Sequence, residues 1–439
     1  MIMILVGRII HFLLMLATLR IVTTLLSPAE LGKIAIITTA VAFFSSFLIN
    51  PVGMYVNRQL HTWNATGVIN NRLGFHFVYL FAMAVISSAI LGAVSYFEIF
   101  DFHLPVGFIG CFVFCTLFFN TINQTTIPSL NMLGFRGWFT ILSIGTLLSS
   151  LIFAVLMVHY CTHSSEYWLS GLLLGQVLFG IFGYSVLHSK INHVKSDTTT
   201  ISKQDINTVF KFSWPIALTV GLTWLQSQSY RFFVEDTLGL DVLGLFVAGY
   251  GISAGIIAGF ESVFTMYYQP VFYKQITTSD KENRVLAWNA YASSILPSLI
   301  LLFFVLFALA SKLALFMLAP QFQAAAKFVS WGAFIEVFRV MANVYSMMVY
   351  AEKETKILIL PNAIGAITSL LMLYFLIPRW GVLGVVWALS LAGFCVMVFL
   401  HIQLKIKLPI HIPFRRMGVS TIFGFIICMM SYFFQLQTT

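Results

Sequence analysis

Apolar residues run along this chain in blocks of twenty or more, separated by short polar gaps, without the alternation that a half-buried strand would show. The stretch "FTILSIGTLLSSLIFAVLMVHY" is one such block. A hydrocarbon core about 30 Å thick takes roughly 20 apolar residues as a helix. Windows of that length predict twelve spans, at 3–26, 33–56, 73–97, 104–130, 138–160, 166–188, 209–234, 242–267, 286–310, 324–350, 357–378 and 382–404. A weaker thirteenth candidate covers 418–434. In lipid every backbone polar group must be satisfied within its own element, so only helices or closed barrels can cross, and continuous apolar blocks select helices. The first block does not read as a cleavable leader. Its apolar run is long, contains Arg8 and Arg20, and ends at "LLSPAELG" without a small-residue cleavage pattern.

The long polar stretch between spans, 189–208 ("SKINHVKSDTTTISKQDINT"), reads as a cytoplasmic basic linker. It separates a six-helix half at 1–188 from a second at 209–404, and leaves 405–439 as a basic segment with the extra apolar helix. Six is even, so both halves enter the membrane in the same direction and would be parallel repeats about an axis along the membrane normal. A faint internal match agrees. Arg20, a short turn, Gly32, an apolar helix, Pro51 and Arg58 are echoed by Arg231, a turn, Gly244, a helix, Pro270 and Lys274.

Only 9% of residues are charged, against about 25% in a soluble domain. With the amino terminus placed in the cytoplasm, 16 of the 24 Lys and Arg residues fall in inner loops, while Glu30, Glu98, Asp101, Glu166, Glu235, Asp236 and Asp241 fall outside. The net charge of +9 is therefore an orientation signal and not the mark of a nucleic-acid partner. Outer loops are short, the longest being about 13 residues at 311–323, and none could fold as a soluble catalytic domain, which rarely runs below about 50 residues. The chain does not read as an enzyme. Cys111 and Cys115 supply two ligands where structural zinc wants four, as do His159 and His163. Helix packing and a solvated loop edge explain these pairs, and no metal or organic cofactor is expected.

Charges inside the spans carry the candidate chemistry. An Arg at a helix centre costs about 2.5–3.5 kcal/mol on insertion scales, so Arg20, Arg231 and Arg339 need water, partners or a ligand. Arg20 and Arg231 lie close to the outer ends of their helices, where snorkelling competes with a functional role; Arg339 lies near mid-span. Glu336 and Arg339 are three apart on one helix face and able to pair. Glu261 has no basic residue within a turn on its own helix, which suits either a proton or sodium site or a partner on another helix. Summed over the spans the buried charge is cationic, and a substrate site between two halves would bring Arg20 and Arg231 towards one another. Paired guanidiniums match phosphate oxygens. Trp224 and Gln228 share a helix face beside Arg231 and suit a sugar ring, though helix packing explains them equally well.

Three stretches carry a family likeness. "LRIVTTLLSPAELGKIAIITTAV", "FSWPIALTVGLTWLQSQSYRFFV" followed by "LGLFVAGYGIS", and "LIPRWGVLGVVWALSLAG" resemble, in order and spacing over about 1–404, the polysaccharide-lipid flippases of the multidrug, oligosaccharidyl-lipid and polysaccharide (MOP) exporter superfamily. The resemblance implies a MATE-like fold and an O-antigen flippase of the Wzx type. Such a protein would move undecaprenyl-pyrophosphate-linked oligosaccharide from the cytoplasmic to the periplasmic leaflet of the bacterial inner membrane. It implies alternating access through a cationic cavity, coupled to protons, sodium or the membrane potential. Lipid-linked oligosaccharide and membrane lipids are the implied partners, with the polysaccharide polymerase and chain-length machinery as further ones. Arg20 and Arg231 match the motif arginines, and Arg58 matches less closely.

Two other functions compete. A drug or cation exporter of the same superfamily should favour acidic cavity groups. A membrane-embedded polysaccharide polymerase usually needs a sizeable outer loop, which this chain lacks.

Overall fold

The computed structural model describes residues 2–191, 203–278, 281–351 and 354–438, and among them there is no strand. The first six spans are built from α1 (Ile2–Leu25), α2 (Pro28–Phe44) continuing into α3 (Asn50–Ala65), α4 (Ile69–Tyr96), α5 (Val106–Cys115) continuing into α6 (Thr121–Met132), α7 (Arg136–Tyr160) and α8 (Ser165–Lys190). Then come α9 (Lys203–Gln228), α10 (Tyr230–Leu238), α11 (Leu240–Thr278), α12 (Lys281–Met317), α13 (Ala326–Ala351), α14 (Ile359–Trp380), α15 (Val382–Lys407) and α16 (Phe414–Thr438). The α2/α3 and α5/α6 junctions are π-helical, at Ser45–Ile49 and Thr116–Asn120.

Local chemistry sets the turns. The Ser27 hydroxyl accepts the Glu30 N–H ahead of Pro28, which starts α2. The Glu30 carboxylate in turn accepts the Ser165 N–H at 2.6 Å, placing an anion at the start of α8 where the helix dipole favours it. Gly239 and Gly381, with φ of 84° and 56°, make the tight turns into α11 and α15 in a region that side chains with a Cβ disfavour.

Eleven of the described helices are long and apolar enough to cross a membrane, and the chain is a multi-pass membrane protein. Phe414–Phe433 is one of the eleven, so the weaker thirteenth candidate has the length and apolarity of a span. The first expected span lies in α1, of 24 residues. One expected span falls short of those criteria. The expected span 209–234 is interrupted: α9 stops at Gln228 and α10 begins at Tyr230. Between them the Ser229 hydroxyl donates to the Leu225 carbonyl, the back-bonding that bends helices. In the other direction, α11 and α12 contain 39 and 37 residues. At 1.5 Å per residue each is about 55–58 Å long, nearly twice the hydrocarbon thickness.

Two compact units are present, Met1–Gly221 and Leu222–Thr439. They divide within α9, and residues 192–202 of the expected linker, Lys195 included, lie outside the described ones. The division follows side-chain bonding. Ser213 on the early part of α9 donates to the Pro51 carbonyl on α3, whereas the Gln226 carbonyl on its last turns accepts the Ser369 hydroxyl of α14.

Within each unit the helices pair in the same order. The first span packs on the fifth (α1 on α7, α10 on α14) and the second on the third and fourth (α3 on α4 and α6, α11 on α12 and α13). The third packs on the fourth (α4 on α5, α12 on α13), the fourth on the sixth (α6 on α8, α13 on α15), and the fifth on the sixth (α7 on α8, α14 on α15). The sequence echo around Arg20 and Arg231 is thus matched by a repeat in helix packing. Standing outside that pattern, α16 lies on α12, with the Phe304 and Phe425 rings 5.0 Å apart and the Cys428 thiol 3.6 Å from the Phe304 carbonyl.

Small residues let the paired helices approach. Gly171 and Gly175, four apart on α8, meet the α7 backbone at Ala154 and Ser150, and a Cβ on Gly175 would overlap the Ser150 backbone. Gly175→Val is expected to destabilise the first unit by about 1–3 kcal/mol, the usual cost of overpacking. A lowered unfolding midpoint of the purified protein would register it, with Gly53→Val, whose Cβ meets nothing within 4 Å, as the unaffected control.

Candidate functional site

The polar cluster of the second unit grows from two helix stripes. On α13, Glu336, Arg339 and Asn343 are spaced i, i+3, i+7 and share a face. On α11, Tyr250 and Glu261 are eleven residues apart, which returns to within about 20° of the same direction after three turns. As α11 packs on α13, these stripes meet.

Their contacts form a ladder. The Tyr250 hydroxyl donates to Glu336 Oε1 at 2.8 Å. Arg339 donates from Nε and Nη2 to Glu336 Oε2, each at 2.6 Å, and its Nη2 also lies 3.1 Å from Glu261 Oε2. Asn343 Nδ2 donates to Glu261 Oε1 at 2.9 Å. All four carboxylate oxygens are therefore engaged. Side-chain exposure grades from 3% at Glu336 through 19% at Glu261 to 35% at Arg339, so the guanidinium is the accessible member and Glu336 the enclosed one.

The charges decide what this cluster can do. Two carboxylates flank one guanidinium, leaving the ionised cluster with one net negative charge. Arg339, a candidate for substrate contact from its position in the sequence, is paired with both carboxylates. Two opposite charges about 4 Å apart attract by roughly 4 kcal/mol at an effective dielectric constant of 20.

Arg231 reaches the cluster through aromatic rings. Its Nε donates to the Tyr230 hydroxyl at 3.2 Å and its guanidinium lies 5.7 Å from the centre of that ring. Tyr230 is fully buried, with its ring 6.3 Å from that of Tyr250, the residue that holds Glu336. Trp224 and Gln228 occupy the last turns of α9, half-buried, and the Trp224 ring lies 6.2 Å from that of Phe232.

The remaining candidates belong to the first unit. Arg20 is half-buried on α1, five residues before the helix ends, and its carbonyl accepts the hydroxyls of Thr23 and Thr24 at 3.0 and 2.8 Å. Arg58 is exposed on α3 with its guanidinium 5.7 Å from the Phe212 ring, a cation–π contact. Sequence inspection noted Tyr230 beside Arg231 but passed over Tyr250 and Asn343. The eleven-residue spacing from Tyr250 to Glu261 was the available signal.

Neither a family model nor a curated protein matches the sequence. Solved structures do match. The lipid II flippase MurJ, in an inward closed conformation, superposes with a TM-score of 0.63 at 14% identity over 100% of this chain and 92% of that one. A MATE family multidrug resistance transporter of the MOP superfamily, inward-facing, gives 0.63 at 13% identity over 90% and 94% of the two chains. A MOP superfamily transporter from Pyrococcus furiosus, for which reversed polarity of the binding pocket suggests a different function, gives 0.62 at 15% over 92% and 94%. At such identities the likeness is one of architecture: this chain has the all-helical fold that MurJ and the MATE transporters share.

Proposed function

We propose that this protein is a polysaccharide-lipid flippase, moving undecaprenyl-pyrophosphate-linked O-antigen or a related repeat unit from the cytoplasmic to the periplasmic leaflet of the bacterial inner membrane. The observation that carries the reading is the matched placement of Arg20 and Arg231. Each precedes, by less than two turns of helix, the short turn into the second span of its unit. Guanidiniums bind phosphate oxygens bidentately, and the fold likeness to a lipid II flippase extends over the whole chain. Outward movement of an anionic headgroup runs down an inside-negative potential, worth about 2.3 kcal/mol per charge per 100 mV. The amino terminus is cytoplasmic in this reading, and Glu261 and Glu336 carry proton or sodium coupling.

A second reading has its own support. The net negative charge around Arg339, with the likeness to a MATE transporter, fits export of a cationic drug. Deletion separates the two. A flippase leaves a lipid-linked glycan accumulating on the cytoplasmic leaflet, while an exporter leaves glycan intact and its overexpression protects cells from cationic dyes. Normal surface polysaccharide in the deletion strain would overturn the flippase reading.

A further inference from the structure

From the last turn of α15 to the first turn of α16 the chain reads "KIKLPIHIPFRR", residues 405–416. Both helices are long and apolar enough to cross a membrane, so this stretch lies at the level of the lipid headgroups. Lys405 and Lys407 close one span and Arg415 and Arg416 open the next, all four exposed. Lys356, exposed on the 3₁₀ turn Thr355–Leu358 that packs on α15, adds a fifth cation. One carboxylate answers them, as Glu354 accepts from Lys407. Five cations against one carboxylate leave four net positive charges. Among the described residues, Lys356, Lys405, Arg415 and Arg416 form no ion pair.

Basic residues beside a span help to orient it, a role that needs no fixed arrangement. This stretch is fixed. Leu408 and Ile410, each 2% exposed, are buried in one cluster with Leu404 of α15 and with Val285 and Trp288 of α12. The His411 N–H donates to Asn289 Oδ1 of α12 at 3.0 Å. From there α16 follows α12 in the same direction, Phe425 meeting Phe304 and the Ser431 hydroxyl donating to the Ala308 carbonyl. The first turn of α12, at the same end, adds Glu282 and Arg284, of opposite sign. Beside the buried residues two apolar side chains point the other way: Ile406 is 80% exposed and Phe414 71%. Each adjoins a pair of cations in the chain.

A soluble anion or an acidic protein segment would use the cations alone. A phospholipid uses both features, its phosphate on the cations and its acyl chain against the apolar side chains. We propose that residues 405–416 with Lys356 form a binding site for anionic phospholipid. Arg415 and Arg416 take the phosphate, which a guanidinium can hold by two hydrogen bonds, and Ile406 and Phe414 enter the acyl boundary. Near an anionic surface each Lys or Arg strengthens the attraction about fivefold. The assignment does not depend on which solute the protein moves.

The test uses the full chain purified in dodecyl maltoside, with dioleoylphosphatidylglycerol and dioleoylphosphatidylcholine as probes and retained lipid read by native mass spectrometry. Phosphatidylglycerol should bind the more tightly of the two, and less so as salt is raised. Arg415→Gln with Arg416→Gln should weaken it about 30-fold while phosphatidylcholine is unchanged. Lys356→Gln with Lys405→Gln should give a similar loss, and serves should the first variant not fold. Arg379→Gln removes an exposed cation from the last turn of α14, at the opposite end of α15, and should change nothing. Inorganic phosphate and a hexaglutamate peptide should leave the lipid in place. Displacement by phosphate would mark a soluble-anion site, and by the peptide an acidic protein partner. Either result, equal binding of the two lipids, or binding indifferent to both double variants would overturn the assignment.

Discussion

Arg339→Met is expected to destabilise the second unit by about 3–5 kcal/mol, the cost of breaking a buried ion pair from one side. The loss comes from what remains. Glu336 is almost fully enclosed and would keep a charge whose counter-ion had gone, with Glu261 across from it. The Tyr250 hydroxyl and the Asn343 amide still donate to these carboxylates, but neutral donors do not replace a guanidinium shared by both. Adding Glu336→Gln to Arg339→Met should recover part of the loss, since the amide oxygen still accepts from Tyr250 and one stranded charge is gone. Unfolding midpoints of the two variants measure this directly. Equal midpoints for wild type and Arg339→Met would show that the ladder is not what holds α11 on α13.

Arg231→Ala is expected to abolish surface polysaccharide at normal protein level, with Arg231→Lys retaining part of it. Charge-assisted hydrogen bonds are worth about 1.5–3 kcal/mol each, so losing one such contact to a phosphate lowers transport by a factor of roughly ten to 150. Lysine keeps the charge and gives up the planar, two-pronged geometry. The position is braced by the Tyr230 hydroxyl and ring, and Tyr230 is itself buried against Phe246 and Tyr250. Truncation at Arg231 therefore removes the accessible charge without emptying the core beneath it. Unchanged polysaccharide in the alanine variant would remove Arg231 from the transport site.

Several of these features were legible in the linear chain. Ten of the predicted spans meet the length and apolarity of a membrane helix, because lipid imposes one demand on every crossing segment and composition answers it. The pairing of Glu336 with Arg339 followed from a three-residue spacing, which is a local property of a helix. Glu261 illustrates what local spacing cannot carry. Its partners Arg339 and Asn343 are about eighty residues away, and only the packing of α11 on α13 brings them to it. For the same reason, a sum of charges along the chain does not show that packing places two carboxylates around one of the three arginines. Hydropathy also hid the interruption at Ser229 and the continuation of α11 to Thr278. One is a hydroxyl back-bond, and the other a helix running on past the apolar window.

The π-helical segments at Ser45–Ile49 and Thr116–Asn120 have a bearing on how the first unit's helices are phased. An i→i+5 turn encloses one residue more than an α turn, and one residue of α-helix is about 100° of rotation. Side chains before and after each segment are thus about 100° out of step with an uninterrupted helical wheel. Phe47 and Leu48 within the first segment and Tyr55 and Val56 after it line one cavity of the first unit. The azimuth of everything from Asn50 to Ala65 is in this sense set by a single extra residue upstream.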